Sequence, residues 1–115
     1  MPGLVTVAEV PEFVRRAAKL LAAEELAVLI EYLAANPKAG DLIRGTGGVR
    51  KLRWARGGRG KSGGVRAIYY FHSEAMPLYL LTLFAKNEKA DLSAAERVEL
   101  AAVVRILATM AEIKR

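Results

Sequence analysis

The sequence predicts an α+β fold: a small antiparallel-dominated sheet with an N-terminal helical hairpin and a C-terminal helix. Three observations predict it. "VRAIYYF" (Val65 to Phe71) and "PLYLLTLFA" (Pro77 to Ala85) are β-branched and aromatic runs joined by the polar turn "HSEAM", and they read as paired strands. Two earlier segments and the last one carry apolar residues at helical rather than alternating spacing. The order that results, strand, two helices, three strands and a helix, groups the main strands together instead of interleaving them with helices. With 115 residues there is room for one core, so residues 1–115 are expected to form a single domain.

The elements follow in order. "LVTVAEV" (Leu4 to Val10) is short and β-branched, as an edge strand would be. Pro11 suits a first helical turn, and Phe13, Ala17 and Leu20 or Leu21 recur at helical spacing. "AAEELAVLIEYLAANP" puts Leu26, Leu29, Ile30 and Leu33 on one helix face. Glu24 and Glu25 sit in its first turn and Asn36-Pro37 stops it. "VRKLRWA" (Val49 to Ala55) alternates, so Leu52 and Trp54 are expected inside while Lys51 and Arg53 point away. The run ending at Ala85 is apolar nearly throughout, which predicts a central strand covered on both faces. After the polar loop "KNEKADL", Ser93 and Glu96 stand at capping-box spacing. Leu100, Val103, Val104, Leu107, Met110 and Ala111 then trace a helical stripe.

The charge of this chain is concentrated. Residues 44–66, "RGTGGVRKLRWARGGRGKSGGVR", hold eight Lys and Arg and no acid, together with eight of the ten glycines. The whole chain carries 18 basic and 12 acidic residues, so everything outside this ribbon amounts to a net −2 and the ribbon supplies the entire excess. A local excess of this kind points to an anionic partner, with nucleic acid foremost.

Three readings of the ribbon compete: a solvated hairpin tip, a phosphate cradle and a nucleic-acid groove. "GGRGKSGG" contains the Gly60-Lys61-Ser62 tail of a nucleotide-binding loop. However, a strand pattern follows it instead of a helix, and Ala55 stands where that motif needs its first glycine. The groove reading fits better. Lys51 and Arg53 are two apart and share a strand face, Arg66 projects beside them from the next strand, and Lys61 lies in the loop between. Arginine contacts phosphate bidentately and lysine acts as a point charge. Crowding like charges costs stability in the free protein, so the cluster is expected to serve a purpose.

Such a site can cut RNA, because the 2′-OH is its own nucleophile. Cleavage needs a base for that proton, cations for the phosphorane charge and an acid for the leaving 5′-oxygen. There is no cysteine and only one histidine, His72, so thiolate or multi-histidine metal sites and a two-histidine acid/base pair are excluded. His72 falls in a turn and is expected on the plain surface. Lysine is the substitute base: among other cations its charged form is disfavoured, and Lys51 and Lys61 are so placed. Tyr69 and Tyr70 alternate faces, one for the core and the other free to stack on a base. Trp54 is expected in the core, and Glu88 as a solvated loop acid or a partner for a neighbouring lysine. The N-terminus lacks a charged segment followed by a long apolar one, and no apolar run approaches the ~20 residues of a membrane span. A soluble cytoplasmic protein is expected.

The stretches "NPKAGDLIRGTGGVRKLRWARGGRGKSGGVRAIYYF" and "LYLLTLFAKNEKADLSAAE", from about Asn36 to Glu96, resemble the RelE superfamily of toxins from bacterial type II toxin–antitoxin modules, and within it the HigB-like branch. The resemblance implies a compact sheet flanked by helices. It implies a toxin that cleaves mRNA, mostly in the ribosomal A site, without metal or cofactor, and that is silenced by a cognate antitoxin. A small helix-turn-helix protein encoded next door would fit that role. By the family pattern the paired strand lysines correspond to Lys51 and Arg53, and the arginine of its Gly-aromatic-Arg motif to Arg66. Those three are the implied catalytic residues. Where RelE carries a further arginine, this chain reads Lys86-Asn87-Glu88, and the place of its C-terminal tyrosine falls near Ser93; both departures fit the HigB-like branch better. Arg50, Arg56, Arg59, Lys61, Tyr70, Lys86 and Asn87 complete the expected RNA contacts. A DNA gyrase poison of the same superfamily and a non-enzymatic nucleic-acid-binding module are the alternatives.

Overall fold

In a computed structural model that describes residues 4–55 and 64–113, the chain runs β1 (Val7–Glu9), α1 (Pro11–Leu20), α2 (Ala23–Ala35), β2 (Asp41–Leu42), β3 (Val49–Trp54), β4 (Val65–Tyr70), β5 (Leu78–Ala85) and α3 (Ala94–Ile113). The strands form one sheet in the order β1-β5-β4-β3-β2. All pairings are antiparallel except β1 with β5, so the sheet is mixed. This is the α+β arrangement expected, with the two-residue β2 added at the far edge.

β5 is an interior strand, as expected, lying between β1 and β4; β4 is the middle strand of the five, and all six of its residues are buried. β5 is covered on both faces, which is why it is apolar nearly throughout. Between Ile68 and Tyr69 the β4–β5 register slips, Ile68 pairing with Thr82 and Tyr69 with Leu80. The extra residue breaks strict alternation. As a result Leu78, Leu80 and Leu83 join one core, while Leu81 and Phe84 join the other.

Each helix face follows from its sequence. α1 opens on Pro11, which has no N–H to leave unpaired, and buries Phe13 and Ala17 one turn apart. Ala22, at the N-cap of α2, has no polar side chain; Glu25 compensates by accepting the Ala22 N–H at 2.8 Å. α2 buries Leu29 and Leu33 against the same sheet face as α1, giving a core of Phe13, Leu29, Leu33, Val65, Tyr69 and Leu80 among others. α3 covers the opposite face with Val104 over Val49, Ile68, Tyr70 and Phe84. Its start is the expected capping box: Ser93 N–H to Glu96 at 2.8 Å and Glu96 N–H to Ser93 Oγ at 3.1 Å.

Part of the glycine-rich ribbon has a purely structural explanation. Gly45, Gly47 and Gly48 have φ of 81°, 78° and 127°, values that other residues rarely adopt. They form the turn into β3, around the buried Thr46, whose hydroxyl donates to Ile43 O at 2.7 Å and accepts the Val49 N–H at 3.1 Å. Among the described residues no helix is long and apolar enough to cross a membrane.

Candidate nucleic-acid interface

The alternation of β3 places Val49, Lys51 and Arg53 on the face that α3 covers. Arg50, Leu52 and Trp54 lie on the α1/α2 face. Directly opposed residues of antiparallel strands share a face, and the β3–β4 register sets Lys51 against Ile68 and Arg53 against Arg66. Lys51, Arg53 and Arg66 therefore converge on one side of the sheet, beyond the end of the apolar core formed by Val49, Tyr70 and Ile68.

Arg66 is 8% exposed, and its Nη1 donates to Val65 O at 3.3 Å. Burial lowers its pKa from the ordinary arginine value and the charge of Arg53 lowers it further, while Asp91 opposes the shift. Asp91 lies in the loop that leads from β5 back to α3. Its Oδ1 accepts from Lys51 Nζ at 3.1 Å, its Oδ2 from Arg97 Nη2 at 3.5 Å, and Oδ1 also from the Leu92 N–H at 2.8 Å. Burial pushes the Asp91 carboxyl up, but the Leu92 N–H, Lys51 and Arg97 outweigh it and hold it below the ordinary aspartate value. The cluster is thus Lys51 and Arg97 on the Asp91 carboxylate, with Arg66 near enough to feel its charge and Arg53 paired across the strands with Arg66.

The sequence reading missed Asp91 and Arg97. Its capping box did fix where α3 begins, and so put Arg97 in the first turn. No local signal says that the loop just before this turn brings Asp91 to Lys51, forty residues earlier.

Other expected site residues divide. Lys86 and Asn87 are exposed on the turn after β5. The Lys86 N–H donates to Gly64 O at 3.1 Å, so the turn sits at the end of the sheet where β4 begins, next to Arg66. Arg50 is on the other face, where its guanidinium clasps the loop after α2 by donating to Gly40 O at 2.7 Å and Lys38 O at 3.2 Å. Tyr70 shares the face of Lys51 but lies at the opposite end of β4 from Arg66. It is 5% exposed in the core under α3, and burial raises its pKa. Tyr69 is the other core tyrosine, its hydroxyl accepting the Gly40 N–H at 2.8 Å. Neither ring is open to a base. Trp54 is half-buried against Tyr32, ring centroids 5.1 Å apart. Arg56, Arg59 and Lys61 lie outside the described residues.

His72 is exposed just past β4, six residues from Arg66, about 20 Å along an extended chain. It is not part of the cluster. Glu88 belongs to the architecture of the turn: it accepts the Ala85 N–H at 2.8 Å and Arg16 Nη2 at 2.7 Å. The Ala85 N–H first, and Arg16 with it, holds its carboxyl below the ordinary glutamate value. Lys89 is paired with Glu96 and lies 5.0 Å from the Phe84 ring centroid.

A helical pair and a long C-terminal helix on the two faces of a five-stranded mixed sheet form the architecture of a small RelE-like domain. Residues 7–114 match the family model described as the RelE toxin of the RelE/RelB toxin–antitoxin system. The chain belongs to the RelE toxin family. It is accordingly a toxin of a toxin–antitoxin system, and a cognate antitoxin is its implied partner.

Proposed function

We propose that this toxin is a ribosome-dependent mRNA endonuclease of the HigB-like branch, in which the RNA 2′-oxygen attacks the adjacent phosphorus. A bond forms between O2′ and phosphorus as the bond from phosphorus to O5′ breaks, leaving a 2′,3′-cyclic phosphate and a 5′-hydroxyl. The proton leaves O2′ for a base, and another reaches O5′ from an acid. Lys51, Arg53 and Arg66 bind the scissile phosphate and stabilise the charge that builds on its oxygens. Lys86 and Asn87, at the same end of the sheet, contact flanking RNA. Arg56, Arg59 and Lys61 add to the attraction for the polyanion through their charge.

The observation that carries this reading is the cross-strand pairing of Arg53 with Arg66 on the face that also bears Lys51. Opposed like charges destabilise a strand pair, so their placement is better explained by an anion that joins them than by the fold alone. Arg50 and Tyr70 are left out of the contact set, the first engaged on the other face and the second enclosed.

The test is translation of a reporter mRNA with purified protein, mapping 5′ ends by primer extension. New 5′-hydroxyl ends are expected with the wild type, reduced about a hundredfold or more by Lys51→Ala or Arg66→Ala, the usual effect of removing one electrostatic contact to a transition state. Intact message on active ribosomes would sink the proposal. Trapped, cut DNA in a gyrase supercoiling assay would favour the gyrase poison instead. RNA binding without cleavage would leave a binding module.

A further inference from the structure

Two cations of the cluster, Lys51 and Arg97, already hold an anion. The Asp91 carboxylate receives Lys51 on one oxygen and Arg97 on the other, and its charge is felt by Arg66. We propose that Asp91 is a resident stand-in for a nucleic-acid phosphate, and that Lys51 and Arg97 form a phosphate clamp that RNA enters by displacing it. This rests on the nucleic-acid reading of the site and adds to it a binding residue, Arg97, and an internal competitor, Asp91.

The geometry favours exchange over a permanent bridge. The side chains of Lys51, Arg97 and Asp91 are 23%, 39% and 41% exposed, so solvent and an incoming strand reach all three. Ion pairs of such exposure are weak and screened by salt. A phosphate group matches the carboxylate in charge and offers oxygens that a guanidinium can grip bidentately. Arg97 holds the carboxylate only loosely, its Nη2 standing 3.5 Å from Asp91 Oδ2. Asp91 retains a separate reason to stay folded after displacement, because it also caps the Leu92 N–H at 2.8 Å. One carboxylate among Lys51, Arg53, Arg66 and Arg97 leaves the cluster short of negative charge, which an RNA backbone supplies.

The experiment measures binding of a short fluorescein-labelled single-stranded RNA, 2′-O-methylated throughout so that it cannot be cut, by anisotropy at several salt concentrations. Asp91→Asn keeps the Leu92 cap and removes the competing charge; it is expected to tighten binding about three- to tenfold. Glu31→Gln, which removes an equal charge from the exposed face of α2, controls for net charge and is expected to change binding less than about twofold. Arg97→Gln is expected to weaken binding and lower the salt slope by about one. In a Lys51→Gln/Arg97→Gln background, Asp91→Asn should gain no more than Glu31→Gln does. If Asp91→Asn binds no more tightly than the wild type, or gains equally in that background, the stand-in idea falls while the site reading stands. If the wild type fails to bind at low salt, or Lys51→Gln leaves its binding unchanged, the site reading itself falls and takes this inference with it.

Discussion

Arg53 and Arg66 face each other across β3 and β4, one exposed and one 8% exposed. In the free protein the pair is a liability: directly opposed like charges cost a strand pair a few tenths of a kcal/mol to about 1 kcal/mol. Arg53→Gln is therefore expected to stabilise the fold by about 0.5 kcal/mol, read as a higher urea midpoint with unchanged slope, while weakening RNA binding. Gains in both properties would mean that the arginine pair has no role in holding an anion. The neighbouring Arg50 shows how little residue type alone reveals. It is as basic as Lys51 and adjacent to it, but the pleat turns it to the other face, where it serves backbone carbonyls.

α3 joins packing to the site. Its buried residues, Val104 and Ala111, hold it on the sheet, and its first turn carries Arg97 to Asp91. The Ser93–Glu96 capping box fixes where that turn begins. Ser93→Ala is expected to cost about 1 kcal/mol, lowering Tm by a few degrees, and to reduce cleavage by loosening the segment that bears Asp91 and Arg97. A thermal melt beside the primer-extension assay checks both; an unaltered Tm would show that Glu96 alone suffices as a cap. The capping box was legible from sequence because it is a local spacing of four residues. The identity of the middle strand was not: β4 and β5 are both apolar, and the parallel addition of short β1 beside β5 moves the centre to β4.

Three carboxylates tie the last strand and its loop to the rest of the molecule: Glu88 to Arg16 of α1, Asp91 to Lys51 of β3 and Glu96 to Lys89. The pKa of each is lowered in the fold. For Glu88 the Ala85 N–H leads, for Asp91 the Leu92 N–H and Lys51 overcome burial, and for Glu96 Lys89 leads, followed by the Ser93 N–H. A depressed folded-state pKa adds stability that is complete above the unfolded value and is lost as pH falls through the folded one. Stability is thus expected to be flat toward neutrality from these groups and to decline below about pH 4, the ordinary carboxylate range. Urea midpoints measured down the pH scale check this. Asp91→Asn should flatten the decline, because one of the three protonations is then gone. Since all three side chains are partly exposed, each contribution is small.

Local periodicity was enough to read the helices, the three main strands, the face shared by Lys51 and Arg53, and the start of α3. Each depends on neighbours within a turn of helix or a pleat of strand, where backbone geometry leaves few choices. The pairing of Arg53 with Arg66, the enclosure of both tyrosines and the arrival of Asp91 and Arg97 over Lys51 came only with folding. They depend on strand register and on a loop doubling back across the sheet, which brings together residues as far apart in the chain as Lys51 and Asp91, 40 positions. Such contacts form to bury the shared apolar face under α3, and that requirement leaves no mark on the local pattern of any one segment.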